Sequence, residues 1–200
     1  GNALLSNLSE FIPDSSPESA PELQLLQSRM ILGKTIDDLN LRTQVSENYF
    51  PLVGRGWARL TGQQPGIVDV SMLNLPPVAG RAQKLTLTVG EKGHYQLEGD
   101  NVTLQGVVGQ PLSAANIAIT IADIQAKPGT QFTITQLSEL EAIDALQLRF
   151  SVSERSKDSG MLGLTITGED PDEMARVLNC IADNYLQQNV ARQAAQDAKS

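Results

Sequence analysis

The apolar positions fall into three regimes along the chain. Leu23, Leu26, Met30, Ile31, Ile36 and Leu39 recur at helical spacing, and Ser19, Pro21 and Glu22 before them carry the signature of a helix start. These predict a helix of about five turns ending near Asn40, with Gly33 weakening its middle by about 1 kcal/mol. From Gly66 to Thr135 the period changes to two. Leu85, Leu87 and Val89 alternate with polar residues, as do Ile117, Ile119 and Ile121. The runs GIVDVSMLNL, KLTLTVG, HYQLEG, VTLQG, IAITIADI and QFTITQL read as strands. Gly90–Gly93 and Gly99–Asn101 read as hairpin turns, and Pro76-Pro77 and Lys127-Pro128-Gly129 as longer loops.

Helical spacing then returns. Ser138 and Glu141 have capping-box spacing before a short helix to about Leu148, and the strands LRFSV and MLGLTIT follow. The last helix has the strongest start: Asp170 as N-cap, Pro171 in the first turn, and Asp172 and Glu173 at the positive end of the helix dipole. Met174, Val177, Leu178, Ile181, Ala182, Tyr185 and Leu186 form its apolar stripe. The stripe thins after Val190 to alanines alone, which predicts a helix end that projects from its domain. Residues 1–20 are polar and read as an irregular arm with one short helical turn at Leu4–Phe11. Between Asn48 and Gly62, Pro51, Gly54 and Gly56 break the chain around a short helix at Trp57–Leu60.

The pattern as a whole predicts an α+β fold. N- and C-terminal helices pack on a mostly antiparallel or mixed sheet, with a strand-rich insertion in the middle and a projecting C-terminal helix. The expected division is an arm at 1–20, an α+β domain at 21–190 whose part 66–135 is strand-rich, and the start of a longer helix at 191–200.

Composition narrows the chemistry. The 200 residues are 40% hydrophobic but only 4% aromatic, so the core is aliphatic. A net charge of −8 argues against a nucleic-acid surface, which needs a basic face. The single cysteine, Cys180, rules out an intrachain disulfide and has no CxxC partner. It lies near the apolar face of the last helix and reads as a small buried thiol rather than a nucleophile. The single histidine, His94, sits at a hairpin end and has no companion ligands in sequence. No phosphate loop of the GxxxxGK[ST] type is present, and GRGWARLTG lacks the strand and acidic residue that a dinucleotide site requires. Trp57 with Arg55 and Arg59 offers a sugar-stacking or partner patch, against the plainer reading of helix–sheet packing. No catalytic, cofactor-binding or metal-binding residues are assigned.

Several separated blocks, in order, carry a family resemblance. ELQLLQSRMILGKTIDDLNL (Glu22–Leu41) resembles the first signature of the polysaccharide chain-length determinant (co-polymerase, Wzz) family. NYFPLVGRGWARLTG, AKPGTQFTI and GMLGLTITGEDPDEMARVLNCIADNYLQQNVARQAAQDAKS resemble its membrane-bound tyrosine autokinases of capsule and exopolysaccharide export (the Wzc/Etk type). The resemblance covers nearly the whole chain and is weakest at about 66–125. It implies a periplasmic domain anchored to the inner membrane by flanking transmembrane helices absent from this chain. It also implies a separate cytoplasmic kinase that would use ATP and Mg, a homo-oligomer (an octameric ring), and work with a polysaccharide polymerase and an outer-membrane export protein. Contact with the polysaccharide itself is a further expectation, and nucleic acid is not expected. The kinase's Walker motif and tyrosine cluster are missing here: Tyr49, Tyr95 and Tyr185 are scattered. The competing reading is a stand-alone periplasmic carbohydrate-binding module.

Overall fold

A computed structural model describes residues 6–13, 24–49, 64–154 and 161–199, with backbone alone for 6–13. The chain divides into two units. Unit 1 comprises Gly1–Leu41 and Ser138–Ser200, and unit 2 comprises Arg42–Leu137, inserted between them.

Among its described residues, unit 1 has three long helices and a three-stranded sheet. Strands β1 (Ser6–Pro13), β11 (Met161–Gly168) and β10 (Phe150–Glu154) pair antiparallel in the order β1-β11-β10. Helix α1 (Arg29–Leu39) packs on α2 (Glu139–Arg149) and α3 (Pro171–Lys199), and α3 packs on β1 and β11. The alternation in β11 sets the face: Leu162, Leu164 and Ile166 are fully buried, with Phe150 of β10 directly opposite Ile166. Met174, Val177, Leu178, Ile181, Ala182 and Tyr185 bury the matching stripe of α3. Each such side chain contributes roughly 1.5–3 kcal/mol by leaving water.

The helix starts follow from their caps. The Ser138 hydroxyl accepts from the Glu141 N–H at 3.1 Å, and the Asp170 carboxylate accepts from the Asp172 N–H at 3.0 Å. At the first helix the structure corrects the expectation. Residues 24–26 are helical, but the helix breaks at 27–28 and restarts as α1, with Ser28 as N-cap accepting from the Ile31 N–H at 3.3 Å. A serine able to take that N–H outcompetes continuation of the previous turn. The helix ends where expected, with Asn40 left-handed at φ 55°. The supposed cap at Ser19 and Glu22 lies outside the described residues, as does the short helix at Trp57–Leu60. The irregular arm is also corrected, since Ser6–Pro13 is a strand. The stripe of α3 is shorter than expected: Leu186 is 42% and Val190 69% exposed, and residues 191–199 are all exposed.

Unit 2 is a β-sandwich. One sheet has the order β2-β9-β4-β5-β6, from Thr43–Glu47, Gln131–Gln136, Lys84–Val89, His94–Glu98 and Thr103–Val107. The other has the order β3-β8-β7, from Ile67–Asn74, Ile117–Gln125 and Leu112–Ala114. Every pairing is antiparallel among the described strands. The period-two residues face each other between the sheets: Leu85, Leu87, Leu97 and Ile134 from one, Ile119 and Ile121 from the other, all fully buried. The hairpin turns at 90–93 and 99–102 join β4 to β5 and β5 to β6 as their glycines predicted. The loop at Lys127-Pro128-Gly129 carries the chain from one sheet to the other.

Candidate functional site

Two polar arrangements stand out from the aliphatic packing, one in each unit. In unit 1, α3 places Asn184 on its buried face, one residue before Tyr185, where helical spacing turns it toward α1. Its side-chain amide donates to the Thr35 hydroxyl at 3.1 Å and to the Asp38 carboxylate at 3.3 Å. Thr35, fully buried, donates in turn to the Ile31 carbonyl at 2.9 Å. Asp38 also pairs with Lys34 at 3.0 Å, one helical turn earlier. Hydrogen bonding from Lys34, against some desolvation and with help from Asn184, holds the Asp38 carboxyl below the ordinary aspartate value.

Cys180 borders this seam. It is half-buried rather than buried, and its thiol lies 3.7 Å from Asp38 Oδ2. Burial, then the Asp38 charge, push the thiol pKa up. A carboxylate disfavours the thiolate that a nucleophile needs, so the arrangement holds a thiol protonated.

A second charge-assisted contact ties the ends of three elements in unit 1. Arg149, at the end of α2, donates to the Thr167 carbonyl at 2.8 Å and grips Glu173 of α3 with both terminal nitrogens, at 2.8 and 3.2 Å.

In unit 2, a cleft of about 500 Å³ opens beside Glu47, Gly66, Ile67, Lys127 and Thr130. Glu47 accepts from the Gly66 N–H at 2.7 Å. A Cβ at position 66 would lie 2.8 Å from both Glu47 Oε1 and the Phe132 ring, so this close approach requires glycine. Glu47 and Lys127 are the charged groups on its described lining.

The sequence candidates are dispersed. His94 is exposed at the start of β5, opposite Val107. Tyr185 is fully buried in unit 1, and Tyr95 in unit 2 is 1% exposed, burial raising its pKa. Tyr49 is partly exposed after β2. Arg55, Trp57 and Arg59 lie outside the described residues. Among the described residues, no three His, Cys, Asp or Glu side chains are grouped to hold a metal ion, and no helix is long and apolar enough to cross a membrane. Sequence reasoning missed Thr35, Asp38 and Asn184. The available signal was a polar residue at position 184 in an otherwise apolar helical stripe.

These features define an α+β domain whose described polar groups organise helix ends and seams. Comparison with known proteins makes the class specific. Residues 43–137 match the family described as "Tyrosine-protein kinase Wzc, N-terminal domain", and these bounds fall within unit 2 almost residue for residue. Over all 200 residues the chain is 65% identical to "Tyrosine-protein kinase etk" of Escherichia coli K12, covering 28% of that protein. It is 47% identical over its full length to "Putative tyrosine-protein kinase in cps region" of Klebsiella pneumoniae and 42% identical to "Tyrosine-protein kinase wzc" of Salmonella typhimurium, again covering 28% of each. Among solved structures, Xanthomonas campestris FlgL aligns with a TM-score of 0.28 and 12% identity, over 78% of this chain and 47% of that one, which is too distant to inform the fold.

Along its whole length the chain is related to the Wzc/Etk tyrosine-protein kinases, and over residues 43–137 to the N-terminal domain of Wzc. It spans little more than a quarter of the curated relatives' length and matches their N-terminal domain, so the kinase catalytic domain lies outside it.

Proposed function

We propose that this chain is the non-catalytic, periplasmic domain of an inner-membrane polysaccharide co-polymerase and tyrosine autokinase. In this reading it scaffolds a homo-oligomer, an octameric ring, that governs chain length and export of capsular or extracellular polysaccharide. Its partners are the polysaccharide polymerase and the outer-membrane export protein, and ATP and Mg serve only the kinase domain outside it. The observation that carries the reading is the 65% identity to a tyrosine-protein kinase along the whole chain, combined with a match to the N-terminal domain. The exposed far end of α3, with Val190 and four alanines beyond the packed stripe, supports helix–helix assembly in the full-length protein.

The test uses the full-length protein in intact cells. With Cys180→Ser removing this domain's own thiol, a cysteine placed at Lys92, in an exposed hairpin turn, should react with a membrane-impermeant maleimide. Labelling only after the inner membrane is broken would overturn the periplasmic assignment. Deleting residues 42–137 should alter the length distribution of the secreted polymer while kinase autophosphorylation persists. An unchanged distribution would remove the chain-length role from this domain.

A further inference from the structure

The edge strands of the sandwich, β2 and β6 on one sheet and β3 and β7 on the other, differ in how they are closed to further pairing. An edge presents backbone groups on which another chain can add, and folded proteins guard it with charge, proline, bulges or side-chain cover. Strand β3 has several of these guards. Its register shifts at Asp69/Val70 and Val70/Met72, and Asp69 is exposed. The Gln136 amide occupies its backbone, donating to the Leu73 carbonyl at 2.7 Å and accepting from the Leu75 N–H at 2.9 Å. Strand β2 ends in Glu47, whose carboxylate takes the Gly66 N–H. Strand β7 is three residues long and follows Pro111.

Strand β6 has no such guard. It holds no charged residue and no proline, its register with β5 is unbroken, and β5 is its one strand partner among the described residues. The phase of the ladder follows from its two ends. The Val108 N–H donates to the Gly93 carbonyl at 2.9 Å, and the Gly99 N–H to the Val102 carbonyl at 2.9 Å. Antiparallel pairs alternate between bonded and non-bonded. Val102, Leu104, Gly106 and Val108 therefore bond inward to β5, while Thr103, Gln105 and Val107 direct their backbone groups off the edge. The Val107 carbonyl accepts from the Gln110 N–H at 3.1 Å. The outward groups of Thr103 and Gln105, and the Val107 N–H, meet no partner among the described residues. Gly106 is the position that would loosen such a strand, and the Tyr95 ring braces it by filling the space a Cβ would need.

We propose that β6 pairs antiparallel with β6 of a second copy of this chain, about a two-fold axis at Gln105, so that their five-stranded sheets run on into one another. Self-complementarity selects the occupant. Turning the strand end for end about Gln105 lays outward-facing residues on outward-facing residues. The two Gln105 backbones then exchange N–H···O bonds both ways, and each Val107 N–H reaches a Thr103 carbonyl. On the solvent face the side-chain pairs are Gln with Gln and Thr with Val, all neutral, and the β-branched members suit a strand. Two copies of a chain of net charge −8 repel, and a strand without a carboxylate is where they approach with least repulsion. A two-fold contact is isologous and joins copies two by two, whereas a ring closes through head-to-tail contacts. This surface is therefore distinct from the ring in the reading above and does not rest on it. One short strand pair buries less than a standard interface, so the dimer is weak, with a Kd on the order of 0.1–1 mM. Tethering of copies in a larger assembly strengthens it.

The test follows the isotope-labelled 200-residue chain by sedimentation equilibrium and by amide shifts, from about 20 µM to about 1 mM. A monomer–dimer equilibrium is expected, with concentration-dependent shifts at Thr103, Gln105 and Val107 and slower hydrogen exchange at the Gln105 N–H. Gln105→Lys and Gln105→Glu each set like charges against one another on the axis and should each weaken dimerisation by about tenfold or more. Mixing the two variants should restore pairing as a heterodimer, which a merely structural defect does not do. Gln105→Pro removes an N–H that β5 does not use, and should abolish the dimer while the sheet stays folded. A monomer at about 1 mM, shifts confined to another surface, single variants that dimerise like the parent chain, or charge variants that fail to pair when mixed would each overturn the proposal. Shift mapping on the unmodified chain keeps the test valid should a variant misfold. The periplasmic labelling of the full-length protein is read separately, so either result stands without the other.

Discussion

Between α1 and α3, two buried polar side chains, Thr35 and Asn184, lie among aliphatic ones and hydrogen-bond to each other. Between the sheets of the sandwich, the buried set among the described residues is apolar apart from one phenol oxygen, that of Tyr95, which has no hydrogen-bond partner among them. The helical seam gains a defined register from polar contacts that are satisfied. The sandwich relies on shape, and its one buried hydroxyl is tolerated because the ring beneath it fills space. The two interiors should therefore respond to substitution in opposite ways.

The largest effect is expected at a close approach in the sandwich. Gly106 pairs with Tyr95, and a Cβ there would lie 2.2 Å from the tyrosine Cζ. Gly106→Ala forces the ring or strand β6 to move and should cost about 3 kcal/mol, read as a lowered denaturant midpoint. Next is the helical seam. Asn184→Ala leaves a cavity and removes the amide shared by Thr35 and Asp38, and should cost about 2 kcal/mol. Tyr95→Phe removes an unsatisfied buried oxygen and should stabilise by up to about 1 kcal/mol. Destabilisation by Tyr95→Phe together with a neutral Asn184→Ala would invert the comparison.

Acid distinguishes the seam more gently. The folded-state pKa of Asp38 is depressed, chiefly by the Lys34 hydrogen bond. Its contribution is therefore complete above the ordinary aspartate value and is lost as pH falls through the lowered one. Thermal midpoints measured between about pH 5 and pH 2 should fall less steeply in Asp38→Asn than in the parent chain. The smallest effect is expected at the far end of α3. Val190→Asp should change the stability of this chain by less than about 0.5 kcal/mol, because the side chain is 69% exposed, while the helix–helix assembly proposed above predicts weaker self-association of the full-length protein.

The two units were unequally legible. The sandwich hairpins could be read because Leu85, Leu87 and Val89 alternate strictly and their turns carry glycine. The caps at Ser138 and Asp170 could be read because a cap is a local event. Strand β1 could not. Its run, SNLSEFIP, has no strict alternation, and its partner β11 lies some 150 residues away, so the pairing that makes it a strand has no local trace. Strands β2 and β7 escaped for a related reason, since TQVSE holds a single strongly apolar residue and LSA is three residues long.

The chain enters unit 2 at Arg42 and leaves it at Leu137, and these two residues hold each other. The Leu137 N–H donates to the Arg42 carbonyl at 2.7 Å, and the Arg42 side chain returns a bond to the Leu137 carbonyl at 2.8 Å. Entry and exit are thus neighbours on adjacent strands, as in a cassette whose two ends are buckled together. Such a module can be lengthened, exchanged or removed in evolution, with a tight turn closing the gap and the host helices keeping their connectivity.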